Sequence, residues 1–379
     1  MKIDKIFINK NVQSCKETEI LISKIKIDPE IVPDFREVID YVNLSKDPVL
    51  KGKKTLYITY NQGALIKECP GTSYYTCCDY IILYQASFCP MDCSYCILQA
   101  YFHPPVLQYF VEQEKSLLGQ KTISKQLNNI FKQNKIYRIG TGEFTDSLIW
   151  EKLNNKPFFS VKNIVKKFAK QNNSILELKT KTVNIESLEN IDHNNKTIIS
   201  WSLNTQKIIK SEERFTASLI QRLKAAQKCE SWGYKLGFHF DPVVIYENSE
   251  KEYKKVIKLI FKYVKKENIV WISIGSFRFM PDLKSIIKER FPQSKIIYGE
   301  FIKGLDNKMR YFKPLRIALY KEIVLCIKKY APNIMIYFCM EDQEVWEKSL
   351  GFFPSKKGEL GVMLDNSAVK HCGLFRQAQ

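Results

Sequence analysis

The feature that most constrains the fold is a regular alternation of strand-like and helix-like segments that begins at Tyr80. Short runs rich in β-branched and aromatic residues are separated by longer segments whose apolar residues recur at helical spacing. The strand candidates are Tyr80–Gln85, Tyr137–Thr141, Ile175–Lys179, Thr197–Asn204, Lys235–Phe240 and Ile269–Ser276. Helix candidates between them include 123–133, 161–171, 216–232 and 251–266. Six such units in series predict an α/β fold in which a parallel sheet curls into a partial (β/α)6 TIM-type barrel.

Segments on either side of the barrel complete the predicted organisation. We expect an N-terminal extension at 1–79, the barrel at 80–301 and a C-terminal α/β covering module at 302–379. The extension is predicted to contain a short strand at 6–8 and helices at 17–25 and 33–43. After the sixth unit we expect a strand at 295–301, a helix at 314–330, a strand at 334–339 and a last helix near 343–350.

The composition favours a basic protein of the reducing cytoplasm. Lysine and arginine number 59 against 40 acidic residues, and nine of the 59 are arginine. The formal charge of +19 favours nucleic acid or another polyanion as partner, although a bias toward AT-rich codons, which favours lysine, explains it equally well. No apolar run is long enough to cross a bilayer, and the charged N-terminus leads to no apolar signal core. Eleven cysteines, an odd number, indicate metal binding rather than a disulfide framework.

Polar residues follow each of the six predicted strands at its carboxyl end. In α/β barrels the loops at these ends converge on one mouth, where the chemistry takes place. The six strands lead into the loop around Cys89 and into the segments 140–143, 179–181, 202–204, 239–242 and 276–278. Together these strand ends predict a single active site.

The first of these loops contains the most specific motif. Cys89, Cys93 and Cys96 have the spacing C-x3-C-x2-C, and an aromatic residue precedes the last cysteine. Three thiolates on one short loop can bind three irons of a [4Fe–4S] cluster and leave the fourth iron open to a substrate. A zinc site is the alternative, and structural zinc usually takes four ligands. Its fourth ligand would be Cys77, Cys78 or His103.

The motif resembles that of the radical S-adenosylmethionine (SAM) superfamily. The resemblance implies that the open iron binds the amino and carboxylate groups of the methionine moiety of SAM. It also implies that reduction of the cluster cleaves SAM and releases a 5′-deoxyadenosyl radical, which abstracts hydrogen from a substrate. The cofactors expected are therefore a [4Fe–4S] cluster and S-adenosyl-L-methionine, with a reducing electron donor such as flavodoxin or ferredoxin as partner.

The same resemblance assigns roles to residues at the other strand ends. The methionine ammonium would be held by a segment similar to the superfamily's Gly-Gly-Glu motif, formed by Gly140, Gly142 and Glu143. The methionine carboxylate would pair with Lys181, or otherwise with Lys179, and the ribose hydroxyls would be bound by Ser202 and Asn204. The last two strand ends offer candidate substrate contacts in His239, Asp241 and Arg278. For Arg278 we expect a phosphate or carboxylate, whereas a histidine ending an apolar strand is often a hydrogen-bonded core residue.

Further segments resemble the spore photoproduct lyase family over roughly residues 65 to 350. These segments are 69–72, 77–78, 93–99, 180–181, 202–204, 310–311 and 339–341. Members of known activity reverse a thymine dimer in the DNA of irradiated spores, and a protein thiol returns hydrogen to the product radical. The resemblance therefore implies a DNA repair lyase, with Arg310 and Tyr311 lining a DNA groove.

Two departures from the family pattern leave the hydrogen donor open. Glu143 stands where the lyases have their donor cysteine, and Ile97 replaces a tyrosine that follows the third cluster cysteine. A carboxylate or an alkyl group cannot replace a weak S–H bond. Candidate replacement thiols are Cys339, Cys77 and Cys78, and candidate tyrosines are Tyr95 and Tyr311.

Three functional hypotheses follow from these residues. The first is a repair lyase acting on a pyrimidine lesion flipped out of DNA into the barrel mouth. The second is a radical SAM enzyme that modifies RNA, a peptide or a metabolite. The third is a zinc-stabilised nucleic-acid binding protein without catalysis.

Overall fold

A computed structural model of the chain describes residues 2–61, 63–72, 74–111, 122–153, 156–157 and 161–375. Its strands are β1 Lys5–Asn9, β2 Glu30–Val32, β3 Thr55–Thr59, β4 Ile66–Glu68, β5 Ile81–Leu83, β6 Ala86–Ser87, β7 Leu107–Phe110, β8 Tyr137–Gly140, β9 Lys152–Leu153, β10 Lys156–Pro157, β11 Ser174–Thr180, β12 Thr197–Ser202, β13 Lys235–Val243, β14 Ile269–Ser276, β15 Arg278–Phe279, β16 Phe301–Lys303, β17 Met309–Tyr311 and β18 Ile336–Phe338. Its α-helices are α1 Lys16–Ile25, α2 Arg36–Asn43, α3 Pro48–Gly52, α4 Leu98–Tyr101, α5 Ile123–Phe131, α6 Lys162–Phe168, α7 Gln206–Glu212, α8 Leu219–Ser231, α9 Ser249–Tyr263, α10 Pro281–Arg290, α11 Lys313–Tyr330, α12 Gln343–Leu350 and α13 Glu359–Cys372. Within these described ranges, no helix combines the length and the apolarity needed to cross a membrane.

The barrel strands form one curled sheet in the order β18-β14-β13-β12-β11-β8-β5-β4. All neighbouring pairs are parallel except β4 and β5, which are antiparallel. The six strands predicted from the sequence are β5, β8, β11, β12, β13 and β14, and they are adjacent in chain order. The prediction of a partial barrel is therefore confirmed. The residues of β14 are all buried, as expected of a parallel strand with helices outside it and a core inside.

Helices cover the outer face of this sheet. Helix α8 packs against β12 and β13, and it begins with a capping box in which Ser218 and Gln221 satisfy each other's backbone N–H groups. One turn further on, the side chain of Arg222 is completely buried. The helix thus carries a charged group to the carboxyl ends of the strands.

A second sheet lies beside the barrel and contains most of the N-terminal region. Its order is β2-β1-β3-β7-β6, and all its pairs are parallel except β6 with β7. Strands β6 and β7 flank the cysteine motif in the chain. The N-terminal sheet therefore extends past residue 80, and the cysteine motif is connected to it on both sides. The sequence pattern missed β3 and β7.

The region after β14 departs from the prediction in two places. The predicted strand 295–301 is wrong except at its last residue. The chain turns there, and Tyr298 N donates to Lys295 O. Ile296 and Ile297 are both buried within this turn, so their apolar character does not mark a strand. The strand there is β16, which pairs with β17 in an antiparallel hairpin. Strand β18 pairs with β14, so the C-terminal region adds a seventh parallel strand to the barrel.

The last helix of the chain was missed by the sequence pattern. We expected α12 to be the final helix, yet α13 follows it and packs against β14. Arg138 at the start of the barrel donates to Asp365 of this helix at 2.7 Å, and Ser367 Oγ donates to Val270 O at 2.6 Å. Helix α13 thereby links β8 to β14 across the curled sheet.

Candidate active site

The carboxyl ends of the barrel strands surround a cavity of about 410 Å3, which is within the size range of small-molecule sites. We call it the main cavity. Most of the site residues predicted from the sequence line it: Cys89, Cys93, Tyr95, Cys96, Gly142, Glu143, Lys181, Ser202, His239, Asp241 and Arg278. A second space of about 110 Å3, the small chamber, shares part of this wall and includes Cys339.

The three motif cysteines bring free thiols into one wall of the main cavity. Cys89 and Cys93 are buried and Cys96 is half-buried. Burial raises the pKa of Cys89 to about 12 and that of Cys93 further, so neither is a thiolate at neutral pH without a bound cation. Iron supplies such a cation, and the donor set therefore fits a [4Fe–4S] cluster.

A cubane needs fewer protein ligands than a structural zinc site does. In a cubane each cysteine binds a different iron, so three cysteines can hold the cluster, whereas structural zinc usually takes four ligands.

The backbone of the cysteine loop, residues 88–97, is held from the N-terminal side by Lys53. Its side chain is only 2% exposed, and Nζ donates to the carbonyl oxygens of Cys89 (3.0 Å) and Met91 (2.5 Å). The ammonium lies 3.8 Å from Asp92 Oδ1, and Arg290 Nη2 lies 3.0 Å from the same carboxylate. The N-terminal sheet and α10 thus fix the cysteine loop through buried charges.

The opposite side of the cysteine loop is held by two glutamates at the end of α7. Ser94 Oγ donates to Glu212 and Tyr95 Oη donates to Glu213, and Arg222 pairs with Glu213. Burial alone would raise the pKa of Glu213, but Arg222 and Lys181 outweigh it and lower the pKa overall. Tyr95 lines the main cavity, but its hydroxyl is committed to a carboxylate.

Two glycines allow β8 to pack closely and end at the main cavity. A Cβ at Gly140 would lie 1.3 Å from Tyr80 Oη, and one at Gly142 would lie 2.7 Å from Lys179 Cβ. Gly140 is therefore packed beneath Tyr80, whereas Gly142 lines the main cavity. The exposed Glu143 carboxylate follows at the mouth.

Lys181 is the better placed of the two lysines predicted to hold a carboxylate. Its ammonium lies over the Tyr95 ring at 5.2 Å. Burial would lower its pKa, but Cys93 and Glu213 raise the pKa overall, so the group is a cation. Lys179 instead lies 3.9 Å from the buried Glu177 carboxylate, which already balances its charge.

Ser202 and Asn204 differ in placement although both end β12. Ser202 lines the main cavity. Asn204 is fully buried: its Nδ2 donates to Pro242 O at 2.8 Å, and its Oδ1 accepts from Tyr253 Oη at 2.7 Å. Its amide is thus occupied within the protein, and it does not line the main cavity.

His239 belongs to a buried polar network in the barrel and also reaches the main cavity. Its Nδ1 is 2.6 Å from Ser273 Oγ and its Nε2 is 2.8 Å from Glu177 Oε1. The same Glu177 oxygen accepts from Trp271 Nε1 at 2.9 Å and from Ser200 Oγ at 2.6 Å. These contacts hold the imidazole in place and occupy both of its ring nitrogens.

Asp241 and Arg278 form a two-point ion pair in the cavity wall, with N–O distances of 3.1 and 3.2 Å. Arg278 Nη2 is also 3.9 Å from Cys339 Sγ. Burial raises the pKa of the Cys339 thiol to about 12, so it remains an S–H group. Cys339 lines the small chamber rather than the main cavity.

The other candidate donors and DNA contacts lie away from the main cavity. Tyr311 is buried, and its hydroxyl accepts from Ile245 N at 3.3 Å. Arg310 is buried and pairs with Asp306 at 2.6 Å. Cys78 lines the small chamber. Its neighbour in the chain, Cys77, lines neither the chamber nor the main cavity.

Sequence reasoning missed the one cysteine outside the motif that lines the main cavity in the described part of the chain. Cys69 ends the β4–β5 hairpin, where its N–H donates to Tyr80 O at 2.8 Å. Burial and the nearby Glu143 raise the pKa of its thiol, which keeps it an S–H group. In the sequence Cys69 is distinguished only by its place in the family-like segment 69–72, and a cysteine after a short strand carries no local signal of its position.

A second missed residue is Asp146, which lines the main cavity three positions after Glu143. Its buried carboxylate accepts from Lys181 N at 2.7 Å and from Thr180 Oγ1 at 2.8 Å. Burial raises the pKa of Asp146. Its position in a strand-end loop beside a predicted site residue was the available signal.

Comparison with known proteins agrees with this fold. A partial barrel whose first strand leads into three cavity-lining cysteines defines a radical SAM protein. The family model for spore photoproduct lyase matches residues 70–316. The chain therefore belongs to the spore photoproduct lyase family, whose members use a [4Fe–4S] cluster and SAM.

Curated relatives of the chain include two bacterial spore photoproduct lyases. The one from Clostridium acetobutylicum is 33% identical over 154 residues, which cover 41% of this chain and 44% of the relative. The one from Bacillus subtilis is 25% identical over 241 residues, which cover 63% of this chain and 66% of the relative. The chain thus spans less than two thirds of the length of either relative.

Solved structures with the same fold include a spore photoproduct lyase double mutant with bound AdoMet and dinucleoside spore photoproduct. It matches with a TM-score of 0.74 and 19% identity, covering 89% of this chain and 100% of that one. A single mutant matches with a TM-score of 0.76 and the same identity and coverage. At this identity the likeness establishes the fold alone.

Proposed function

We propose that this protein is a radical SAM lyase that repairs a pyrimidine photoproduct in DNA. The observation that carries the proposal is that one cavity collects the three motif thiols, an acidic group, a cation and a further S–H group. Family membership supports the same reaction class. The net charge of +19 fits a polyanionic substrate such as DNA.

The cavity wall supplies a partner for each part of the cofactors. Cys89, Cys93 and Cys96 would hold three irons. Glu143 would bind the methionine ammonium and Lys181 the methionine carboxylate, since both line the cavity beside the cysteines. Ser202 would bind the ribose, whereas Asn204 supports that strand end from behind. The bound cluster and SAM supply a 5′-deoxyadenosyl radical.

Cys69 is the thiol best placed to return hydrogen to the product radical. It lines the same cavity as the cluster cysteines and lies near Glu143, the residue that occupies the family's donor position. Cys339 is the second candidate. It lines the small chamber and lies behind the Asp241–Arg278 ion pair of the main cavity wall. His239 and the Asp241–Arg278 ion pair would orient the substrate, because all three side chains line the main cavity.

Two further parts of the proposal concern partners and compartment. A small reducing protein such as flavodoxin or ferredoxin would deliver the electron to the cluster. All eleven cysteines are free thiols, which agrees with a reducing cytoplasm.

The test is anaerobic reconstitution followed by incubation with irradiated thymine-containing DNA under reducing conditions. We expect 5′-deoxyadenosine formation together with restored thymine, and both should be absent in Cys93→Ala. Formation of 5′-deoxyadenosine without repair would refute the lyase function. It would favour a radical enzyme with another substrate, which is compatible with a glutamate at position 143 in place of the family's donor cysteine.

The donor is tested by repair in D2O, where an exchanged thiol transfers deuterium into the product. Cys69→Ala should keep 5′-deoxyadenosine formation but lose deuterium transfer and divert the product. Cys339→Ala is the matched control and should behave as the unchanged protein. The opposite result would assign the donor role to Cys339.

A further inference from the structure

The mouth of the main cavity carries two exposed apolar side chains on one short helix. Ile97 is 37% exposed and Tyr101 is 57% exposed, and both line the cavity. They lie one turn apart at α4, so they point in the same direction. Large apolar side chains this exposed at the entrance of a cavity indicate a surface that another molecule covers.

Tyr101 is supported from behind by a second ring. It stacks on Phe144 with a centroid distance of 5.8 Å and an interplanar angle of 23°. Phe102 meets the edge of Tyr101 at 5.4 Å and 86°. Phe144 is buried, whereas more than half of Tyr101 is exposed, so the outer face of the Tyr101 ring is free. The ring is held in place before any partner arrives.

One lysine ammonium lies against the supporting ring, and a second lysine lines the cavity. The Lys67 ammonium lies 4.7 Å from the centroid of Phe144 and 4.5 Å from that of Tyr84. Lys308 lines the same cavity from the hairpin side. A free aromatic face next to lysine ammonium groups is the arrangement that binds single-stranded nucleic acid, since the base stacks and the phosphate is neutralised.

We propose that Tyr101, supported by Phe144, is a stacking platform for an unpaired base next to the lesion in the bound DNA strand. This inference rests on the proposed function and adds to it a residue that positions the substrate strand. A flipped lesion leaves its neighbour without a stacking partner, and the platform restores one. Stacking tolerates any base, so the platform adds affinity without sequence preference.

The test uses the reconstituted, SAM-loaded protein and a fluorescent single-stranded oligothymidine that carries one photoproduct, with anisotropy as the readout. Tyr101→Ala should weaken binding about tenfold, the size typical of one lost base–aromatic stack. Tyr101→Phe should bind like the unchanged protein, because it keeps the ring. Replacing the base next to the photoproduct with an abasic site should weaken binding to the unchanged protein but not to Tyr101→Ala.

Tyr330→Ala is the matched control. Tyr330 is also exposed and stacked on a phenylalanine, Phe261, at 5.1 Å and 14°, but it lies at the far end of α11 and does not line the cavity. It should leave DNA binding unchanged.

The outcomes separate the platform from the proposed function. If the unchanged protein binds DNA and Tyr101→Ala binds equally well, the platform is refuted while the lyase proposal stands. If Tyr101→Ala instead loses SAM affinity in equilibrium dialysis, the ring stacks on the adenine of SAM and the platform is again refuted. If the unchanged protein does not bind DNA, the proposed function itself fails.

Discussion

Removing the Lys53 ammonium should loosen the cysteine loop against the segment between α3 and β3. The variant Lys53→Met keeps the length of the side chain but deletes its hydrogen bonds to the carbonyl oxygens of Cys89 and Met91. Each hydrogen bond to a charged group contributes about 1.5–3 kcal/mol when buried. Asp92 keeps Arg290 as its partner, so the two lost bonds predict a decrease of about 3–6 kcal/mol in the free energy of unfolding.

The neighbouring lysine provides a matched control. Lys54 is 44% exposed and lies 3.9 Å from Asp4, an ion pair on the surface. Such pairs contribute about 0–1 kcal/mol, so Lys54→Met should hardly change the free energy of unfolding. The two variants change the same side chain at adjacent positions and differ only in burial.

The assay is urea denaturation of the apo proteins, followed by iron analysis after anaerobic reconstitution. Lys53→Met should unfold at lower urea and bind less than the full complement of iron, since the loop that holds the cysteines is less ordered. Equal stability and iron content in Lys53→Met and Lys54→Met would refute the role assigned to Lys53. Lys53→Arg should recover part of the loss, because a cation can again donate to the two carbonyls.

Three further predictions concern single side chains. Cys93→Ala should abolish cluster assembly, and a full iron count in this variant would exclude Cys93 as a ligand. The hydrogen bond from Cys78 lowers the pKa of Cys77 to about 6, so alkylation of Cys77 in the apo protein, followed by mass spectrometry, should show a midpoint near pH 6. In Cys78→Ala the midpoint should move toward the ordinary value of 9.0, and an unchanged midpoint would contradict this cause. Burial alone would raise the pKa of Glu177, but Lys179 and His239 outweigh this effect and hold the pKa well below its ordinary 4.5. The carboxylate therefore stabilises the fold above about pH 4.5, and this contribution is lost as the pH falls further. Glu177→Gln should accordingly be less stable at neutral pH and show a flatter fall in stability toward acid, and a slope equal to that of the unchanged protein would refute the assignment.

The sequence was informative wherever a function depends on spacing along the chain. The cysteine motif, the six barrel strands and the clustering of strand-end residues all follow from local periodicity, because parallel strands place their carboxyl ends at one edge of the sheet. The residue type at a strand end did not reveal whether its side chain reaches the cavity or is buried in the protein. Asn204, Arg310 and Tyr311 were candidates of suitable chemistry, yet each is buried and hydrogen-bonded within the protein.

By itself, the sequence determined the partial barrel, the three cysteines and the family. Only the tertiary structure placed Cys69 in the cavity, Lys53 against the cysteine loop and Arg290 on Asp92. The physical reason is distance along the chain: Lys53 reaches a carbonyl 36 residues away and Arg290 a carboxylate 198 residues away. Such contacts exist only after both sheets have formed, so no local pattern of residues can encode them.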